Sequence, residues 1–255
     1  MLRVQPQYAA RANWEELAQR EGLSYEVLEL SLAPHLGAEL DSPDPCRDWY
    51  KKSGRVHALH GAFIDVNPAS GDPDFRALSR ARCRESCALA AALGAEQVIF
   101  HASAFPFLRG AYLDGWADAC ASFYRELADA CGLTLCIENS FDLDPEPLSA
   151  LLRRAHSDRV KICLDIGHAC YARAPLEQWF DRLGEDIACL HLSDNMGRFD
   201  DHLPLGAGTV DWALADRLYR RLGQEVPMTL EVGGVAGVQQ SLDFLRKNGY
   251  FELEA

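Results

Sequence analysis

The sequence contains no long uninterrupted hydrophobic run. Its 255 residues are 48% hydrophobic, yet no apolar stretch approaches the ~18–20 residues of a membrane span. The first residues, MLRVQPQYAARANWEE, show no basic start followed by an apolar stretch, which argues against a secretory signal. We therefore expect a protein without a membrane span and with a cytoplasmic location.

The nine cysteines lack the spacing of a disulfide framework or of a thiolate metal site. Their number is odd, and no two of them form a Cys-x-x-Cys pair. Cys136, Cys163 and Cys189 fall inside apolar runs, where cysteine acts as a small hydrophobic side chain. This usage is typical of a reducing compartment and again favours the cytoplasm.

Positive charge is scarce. Lys and Arg number 25 against 38 Asp and Glu, which gives a formal net charge of −13. A chain this acidic has no long-range attraction for a polyanion such as DNA. Basic residues also do not cluster in the loops after the predicted strands. We therefore expect a small-molecule substrate and no nucleic-acid partner.

A repeated alternation of strands and helices dominates the rest of the sequence. Short apolar runs predict strands at about 2–7, 25–30, 56–60, 97–101, 134–138, 160–165, 187–192 and 228–232. Helical spacing predicts helices at about 12–21, 43–53, 73–93, 111–131, 145–156, 175–183, 211–222 and 235–248. Eight alternations favour the α/β class with a single (β/α)8 TIM-barrel domain over residues 1–255, although an open doubly wound sheet would give a similar pattern.

The third predicted helix has the clearest apolar periodicity. Phe75, Leu78, Arg82, Leu89 and Leu93 recur at helical spacing, so we expect this side to face the barrel. In the strands, alternation places residues such as Asp165 and Cys163 on one face and aliphatic residues on the other. We expect the polar face to line the barrel interior.

Side chains able to bind metal follow four predicted strands at the point where each strand ends. They are Glu138 in TLCIENS, Asp165 and His168 in VKICLDIGHA, His191 in IACLHLSDN, and Glu231 in MTLEVGG. The carboxyl ends of the strands form the active site in (β/α)8 barrels, so these side chains should converge. Carboxylate and imidazole ligands suit Zn²⁺, Mn²⁺, Co²⁺ or Fe²⁺.

Further histidines and a polar loop extend this set. Five histidines lie at predicted strand ends or in the loops after them: His60, His101, His168, His191 and His202. A single strand-end histidine often only bonds a backbone carbonyl, but so many titratable groups on one rim are costly to bury without a cation. The segment HLSDNMGRFDDHLPLGAGTVDW adds Asp194, Arg198, Asp200 and Asp201. It is either a solvated loop or part of the site.

Aromatic residues in the loops have two open interpretations. They either line the mouth of the barrel or pack between loop and barrel. The residues concerned are Phe63, Phe105, Phe107, Trp116 and Phe199.

Several of these segments resemble a known superfamily. IENS, LDIGHA, HLSDN, DDHLPLGAGTVDW and LEV together are similar to the xylose-isomerase-like TIM barrels. That superfamily contains sugar phosphate isomerases and epimerases and the related endonuclease IV type of abasic-site nuclease. VHALHGAFIDVNP and VIFHASA resemble its earlier strands, so the resemblance covers nearly the whole chain.

The two branches of the superfamily imply different ligand sets. Resemblance to the epimerases implies that one divalent metal is held by four residues: Glu138, Asp165, His191 and Glu231. Glu138 and Glu231 would also flank the substrate as catalytic groups. Resemblance to the nucleases implies that further residues join these four to bind three zinc ions: His60, His101, His168, Asp200 and His202.

Our preferred hypothesis is a divalent-metal-dependent isomerase or epimerase of a small sugar, sugar phosphate or related polyol derivative. The cofactor would be Zn, Mn, Co or Fe, with one to three ions per chain, acting as a Lewis acid on an enediolate. Glu138 and Glu231 would take and return protons. His60, His101, His168, Asp200 and His202 would bind substrate or additional metal, and Arg198 would meet an anionic group.

Two other hypotheses remain open. A multi-zinc phosphodiesterase of the endonuclease IV type fits the full ligand set, but three bound divalent ions would still leave a formal charge of −7 from the −13 of the chain. A binding module without catalysis is disfavoured by the intact pair of glutamates.

Overall fold

Eight short parallel strands close into a barrel. The computed structural model describes residues 1–35 and 44–253. Each strand pairs with the next along the chain and β8 pairs with β1, so the predicted (β/α)8 barrel is confirmed and the open sheet is wrong. The strands are β1 (Leu2–Val4), β2 (Ser24–Leu28), β3 (Val56–His60), β4 (Gln97–His101), β5 (Thr134–Glu138), β6 (Val160–Asp165), β7 (Ile187–Leu192) and β8 (Met228–Leu230).

Helices follow the strands. They are α1 (Arg11–Glu21), α2 (Pro45–Ser53), α3 (Pro73–Leu93), α4 (Ala111–Cys131), α5 (Glu146–Ala155), α6 (Ile166–Tyr171), α7 (Leu176–Leu183), α8 (Trp212–Arg221) and α9 (Gly234–Asn248). The predicted start of the second helix, residue 43, lies outside the described residues. Within the described ranges no helix has both the length and the hydropathy needed to cross a bilayer.

Helix α6 was not predicted, because its six residues are too few to show a periodic pattern. The longer helices begin and end at recognisable signals. Asp72 caps α3 by accepting hydrogen bonds from two backbone N–H groups of the first turn. Gly94 and Gly132 end α3 and α4 in the left-handed conformation, with φ of 83° and 74°.

The predicted packing face of α3 is only partly correct. Leu89 and Leu93 are buried, but Phe75 and Leu78 are 42% and 61% exposed. The buried side of this helix consists largely of small residues, which a search for large apolar side chains does not reveal. They are Ser79, Cys83, Ser86, Cys87 and Ala90.

The strands separate two regions of the core, as the alternation predicted. Aliphatic side chains such as Ile162, Leu164 and Leu190 join the large cluster between strands and helices. A second, small cluster lies inside the barrel and consists of Ala58, Ile99, Cys136, Cys163 and Cys189. All nine cysteines are free. The next interior positions, two residues further along each of these strands, carry polar side chains of the candidate site.

Candidate metal and active site

Four of the predicted ligands converge at the carboxyl ends of the strands. Glu138, Asp165, His191 and Glu231 each offer an atom within 4.8 Å of those of the others. Glu138 and Asp165 end β5 and β6, His191 is in β7, and Glu231 follows β8. The first three side chains are fully buried and Glu231 is 6% exposed.

Two carboxylate atoms of this cluster have no hydrogen-bond partner among the described residues, namely Glu138 Oε2 and Asp165 Oδ2. Glu138 Oε2 lies 3.2 Å from His60 Nε2 and 3.3 Å from His101 Nε2 without the geometry of a hydrogen bond. Buried carboxylate oxygens rarely lack partners, and a cation would supply one. The donor set and its spacing therefore fit a divalent metal ion.

The backbone around Asp165 is shaped by close approach. Asp165 Oδ1 accepts a hydrogen bond of 2.6 Å from His168 N and so caps α6. A Cβ at Gly167 would lie 2.4 Å from Ser193 Oγ and 3.1 Å from Asp165 Oδ1. The glycine is therefore needed because the chain leaving β7 passes so near.

The remaining predicted ligands lie around the same cluster. His60, His101 and Glu138 form a second group of possible ligands within 4.8 Å, and His60, His191 and Glu231 a third. Asp200 Oδ2 lies 3.2 Å from His168 Nε2 and 2.9 Å from His202 Nε2. The structure thus brings all nine ligand candidates together, while their roles stay predictions.

Three of the histidines share one orientation, with Nδ1 at a backbone carbonyl oxygen and Nε2 at a carboxylate. The carbonyl partners are those of Gly61 for His60 (3.2 Å), Asn139 for His168 (2.6 Å) and Glu231 for His202 (2.7 Å). Because a carbonyl can only accept, Nδ1 carries a proton; Nε2 also faces an acceptor, and it would lose its own proton on becoming a metal ligand. Such contacts orient metal-binding histidines.

His191 is oriented the other way round. Its Nδ1 lies 3.1 Å from Glu138 Oε1 and 3.3 Å from Glu231 Oε1, in the middle of the cluster. Its Nε2 lies 3.2 Å from both carboxylate oxygens of Glu26. Glu26 was missed from the sequence, although a charged residue between Tyr25 and Val27 in a buried strand is a signal for an interior polar position.

The electrostatics of the cluster are dominated by buried carboxylates. Burial raises the pKa of Asp165 to about 6. Burial also raises the pKa of Glu138, but attraction to His191 and His101 outweighs it and holds the pKa well below the usual range. Conversely, Glu231, Glu26 and Glu138 outweigh the effect of burial on His191 and raise its pKa well above the usual range.

These pKa shifts show carboxylates and imidazoles compensating one another's charge. Once the imidazoles act as neutral ligands, that compensation is lost. A cation then becomes the natural counter-charge.

The loop between β7 and α8 is anchored at Asp194, which is fully buried. Its carboxylate accepts hydrogen bonds from four donors: Asn195 N (2.9 Å), Gly206 N (2.9 Å), Val210 N (3.1 Å) and Trp212 Nε1 (2.9 Å). The segment is therefore an ordered part of the site, and it positions Asp200 and His202. Arg198 in the same loop is exposed, and its guanidinium makes no described contact with the cavity.

The loop aromatics divide between the two interpretations. The ring of Phe63 lies 5.0 Å from that of His60 and 5.1 Å from that of His101, so Phe63 lines the cavity. Trp116 is buried in the core through α4. Three others are more than two-thirds exposed and so do not pack between loop and barrel: Phe105, Phe107 and Phe199.

The chain is similar to known proteins and solved structures over most of its length. It is 28% identical to the uncharacterised protein MJ1311 of Methanocaldococcus jannaschii over 81% of this chain and 73% of that one. The TTHB071 protein of Thermus thermophilus, from a crystal soaked with ZnCl₂, superposes with a TM-score of 0.77 at 27% identity over 96% of both chains.

A D-tagatose 3-epimerase-like protein superposes with a TM-score of 0.69 at 25% identity over 79% of both chains. Sugar epimerases at lower identity share the fold. A family model described as xylose isomerase-like TIM barrel matches residues 5–248. The chain therefore belongs to the xylose isomerase-like TIM-barrel family.

Proposed function

We propose that the protein is a divalent-metal-dependent isomerase or epimerase of a small sugar, sugar phosphate or related polyol derivative. The observation that carries the proposal is the pair of buried glutamates, Glu138 and Glu231, which both lie within 3.3 Å of His191 Nδ1. The tagatose-epimerase-like neighbour supports a sugar as substrate.

Glu138, Asp165, His191 and Glu231 would hold the metal. When bound there, such an ion would supply Lewis acidity toward a substrate oxygen, which would make the neighbouring C–H bond more acidic. Zinc, manganese, cobalt and iron(II) all fit this donor set.

Proton transfer would fall to the two glutamates. Attraction to His191 lowers the pKa of Glu138 and of Glu231 against the effect of burial, so both are ionised and ready to accept a proton at neutral pH. One would remove a proton from carbon and the other would return it. Glu138 on β5 and Glu231 after β8 approach the cavity from strands separated by β6 and β7, so they can address different sides of one carbon.

His168 and His202 would orient the substrate. Each holds Nδ1 against a backbone carbonyl and directs Nε2 toward Asp200 at the cavity rim. Nε2 of either ring is then available to a substrate hydroxyl or to an additional metal. Arg198 is exposed on the same loop, where it can meet an anionic group only if the loop brings it inward.

The decisive experiment follows exchange of substrate hydrogen with solvent. Chelator-treated protein is reloaded separately with Mn²⁺, Co²⁺ or Zn²⁺ and incubated in D₂O with four- to six-carbon aldoses and ketoses and their phosphates. We expect NMR to show metal-dependent loss of one C–H signal, together with an epimer or isomer of the sugar. Metal content per chain is measured on protein prepared without chelator.

One set of results would contradict the proposal. These results are three metal ions per chain, hydrolysis of a phosphodiester such as bis(p-nitrophenyl) phosphate, and no C–H exchange with any sugar. They would replace isomerisation by phosphodiester hydrolysis as the proposed reaction. The convergence of all nine ligand candidates is compatible with that result. The net charge of −13 speaks against a nucleic acid as its substrate.

A further inference from the structure

Glu26 lies inside the barrel with no exposed surface. It is on β2, which is separated from β7 by β1 and β8 in the closed sheet. Its side chain therefore crosses the barrel interior to reach His191. A buried carboxylate in this position needs donors on all sides, because an unpaired charge there would cost several kcal/mol.

Three side chains supply those donors. Thr229 Oγ1 donates to Glu26 Oε2 over 2.8 Å, and Gln5 Nε2 donates to Glu26 Oε1 over 2.9 Å. His191 Nε2 approaches both oxygens at 3.2 Å. Gln5 also donates to Glu231 Oε1, so one amide group connects Glu26 with a second ligand candidate.

The orientation of His191 gives this contact its meaning. One ring nitrogen of each histidine points away from the cluster of candidate ligands. In His60, His168 and His202 this is Nδ1, which contacts a neutral backbone carbonyl, whereas in His191 it is Nε2, which contacts the carboxylate of Glu26. With a metal ion among Nδ1, Glu138 and Glu231, the only acceptor that the described residues leave to the His191 ring would be Glu26, which would hold the proton on Nε2 and leave the lone pair of Nδ1 to the metal.

We propose that Glu26 is the positioning residue for the metal site: it fixes the tautomer and ring plane of His191, makes Nδ1 a stronger ligand, and through Gln5 holds Glu231 in place. This inference rests on the proposed function, since it assigns His191 Nδ1 to a metal. Glu26 itself belongs to none of the ligand groups of the described residues. Outer carboxylates of this kind typically change metal affinity 10–100-fold.

The test measures metal binding without turnover. Metal-free protein is titrated with Co²⁺ in competition with a chelator, and the visible absorption of bound Co²⁺ reports its coordination. Glu26→Gln keeps an acceptor oxygen but removes the charge, so we expect affinity to fall 10–100-fold with an altered cobalt spectrum. Thr229→Val removes one donor to Glu26 and retains the charge, so it should lower affinity in the same direction but less.

Glu29→Gln is the matched control. Glu29 is another buried carboxylate close to β2, and it bonds Ser86 and Arg82 rather than the site. This variant should bind Co²⁺ within twofold of the unaltered protein. Long-range ¹⁵N spectra of the zinc-loaded parent should show the proton of His191 on Nε2.

The outcomes separate this inference from the proposed function. Unchanged cobalt affinity and spectrum in Glu26→Gln overturn the positioning role while leaving the metal site intact. If that variant does not fold, unchanged affinity in Thr229→Val has the same consequence. If the unaltered protein binds no Co²⁺, the metal dependence in the proposed function fails and the inference fails with it.

Discussion

Glu138 faces more imidazoles than any other carboxylate of the cluster. Its Oε1 lies 3.1 Å from His191 Nδ1, and its Oε2 lies between His60 and His101. One carboxylate can therefore serve two neighbouring groups of ligands at once. Its charge is more important than its shape for this, because only an anion attracts both a cation and the surrounding N–H groups.

Replacing either of the two glutamates proposed to be catalytic, Glu138 or Glu231, should abolish most activity and spare the fold. Glu138→Gln and Glu231→Gln keep the size of the side chain but remove a metal-binding charge and a proton acceptor. We expect turnover of the substrate to fall at least about 100-fold, since one positioned acid–base group contributes roughly 10²–10⁴-fold. C–H exchange in D₂O should fall in parallel. Glu29→Gln is the control, and full turnover in a folded, metal-loaded Glu138→Gln or Glu231→Gln variant would contradict the two-glutamate mechanism.

Asp142 should make stability depend on pH. It is 5% exposed, its Oδ2 accepts from Ser140 N over 3.2 Å, and its Oδ1 has no partner among the described residues. Burial raises the pKa of Asp142 from 3.8 to about 7. The folded state therefore binds this proton more tightly than the unfolded state. The resulting stability is complete below pH 3.8 and is lost as the pH rises to about 7.

Asp142→Asn removes that loss because the amide stays neutral. Relative to the parent, its unfolding free energy should increase between pH 4 and pH 7 by on the order of 1 kcal/mol per pH unit. Urea unfolding at several pH values measures the difference. Asp158→Asn, at an exposed position, is the control. A constant difference between Asp142→Asn and the parent over this range would show that the carboxylate does not titrate as described.

At the scale of elements, the loop between β7 and α8 depends on one carboxylate. An amide in place of Asp194 offers a single oxygen to four donors, so about two N–H groups lose their partner in a buried site. Asp194→Asn should therefore lower the unfolding free energy by about 2–4 kcal/mol. Hydrogen exchange should rise in residues 194–212, and the ligand candidates Asp200 and His202 should be held less firmly.

Asp201→Asn tests whether that effect is specific. Asp201 is in the same loop, but it is exposed, and among the described residues it accepts only from Met196 N, over 3.1 Å. Its replacement should change stability by no more than about 0.5 kcal/mol. Equal effects of the two substitutions would mean that Asp194 does not organise the loop.

The strands were predictable because buried parallel strands leave a strong local pattern, and most predicted bounds differ from the observed ones by no more than two residues. The candidate ligands at the strand ends were predictable because the carboxyl ends of neighbouring strands must meet. The contact of Glu26 with His191 was not predictable, because it joins β2 to β7 across the barrel. Helix α6 and the small-residue face of α3 gave no periodic apolar signal.

At the scale of the whole molecule, charge limits the possible partners. The formal net charge is −13, and many arginines of the described residues pair with acidic side chains on the outer helices. Among these are Arg20, Arg153, Arg154, Arg182, Arg221 and Arg246. Binding to a DNA backbone requires several unpaired Lys or Arg side chains in one stripe, because these side chains replace and so release the counterions condensed on the DNA.

We therefore expect no useful binding of duplex DNA at physiological salt. Fluorescence anisotropy with a labelled duplex, with and without an abasic site, should show no saturation between 50 and 200 mM salt at protein concentrations up to roughly 10 µM, in the middle of the range of non-specific dissociation constants. The metal-loaded protein must be used, because three bound divalent ions would reduce the negative charge of the chain to −7. Tight binding that weakens steeply with salt and is followed by cleavage at the abasic site would contradict the prediction. It would place the metal-binding cluster in phosphodiester chemistry, because only locally concentrated cations could then overcome the repulsion of the chain.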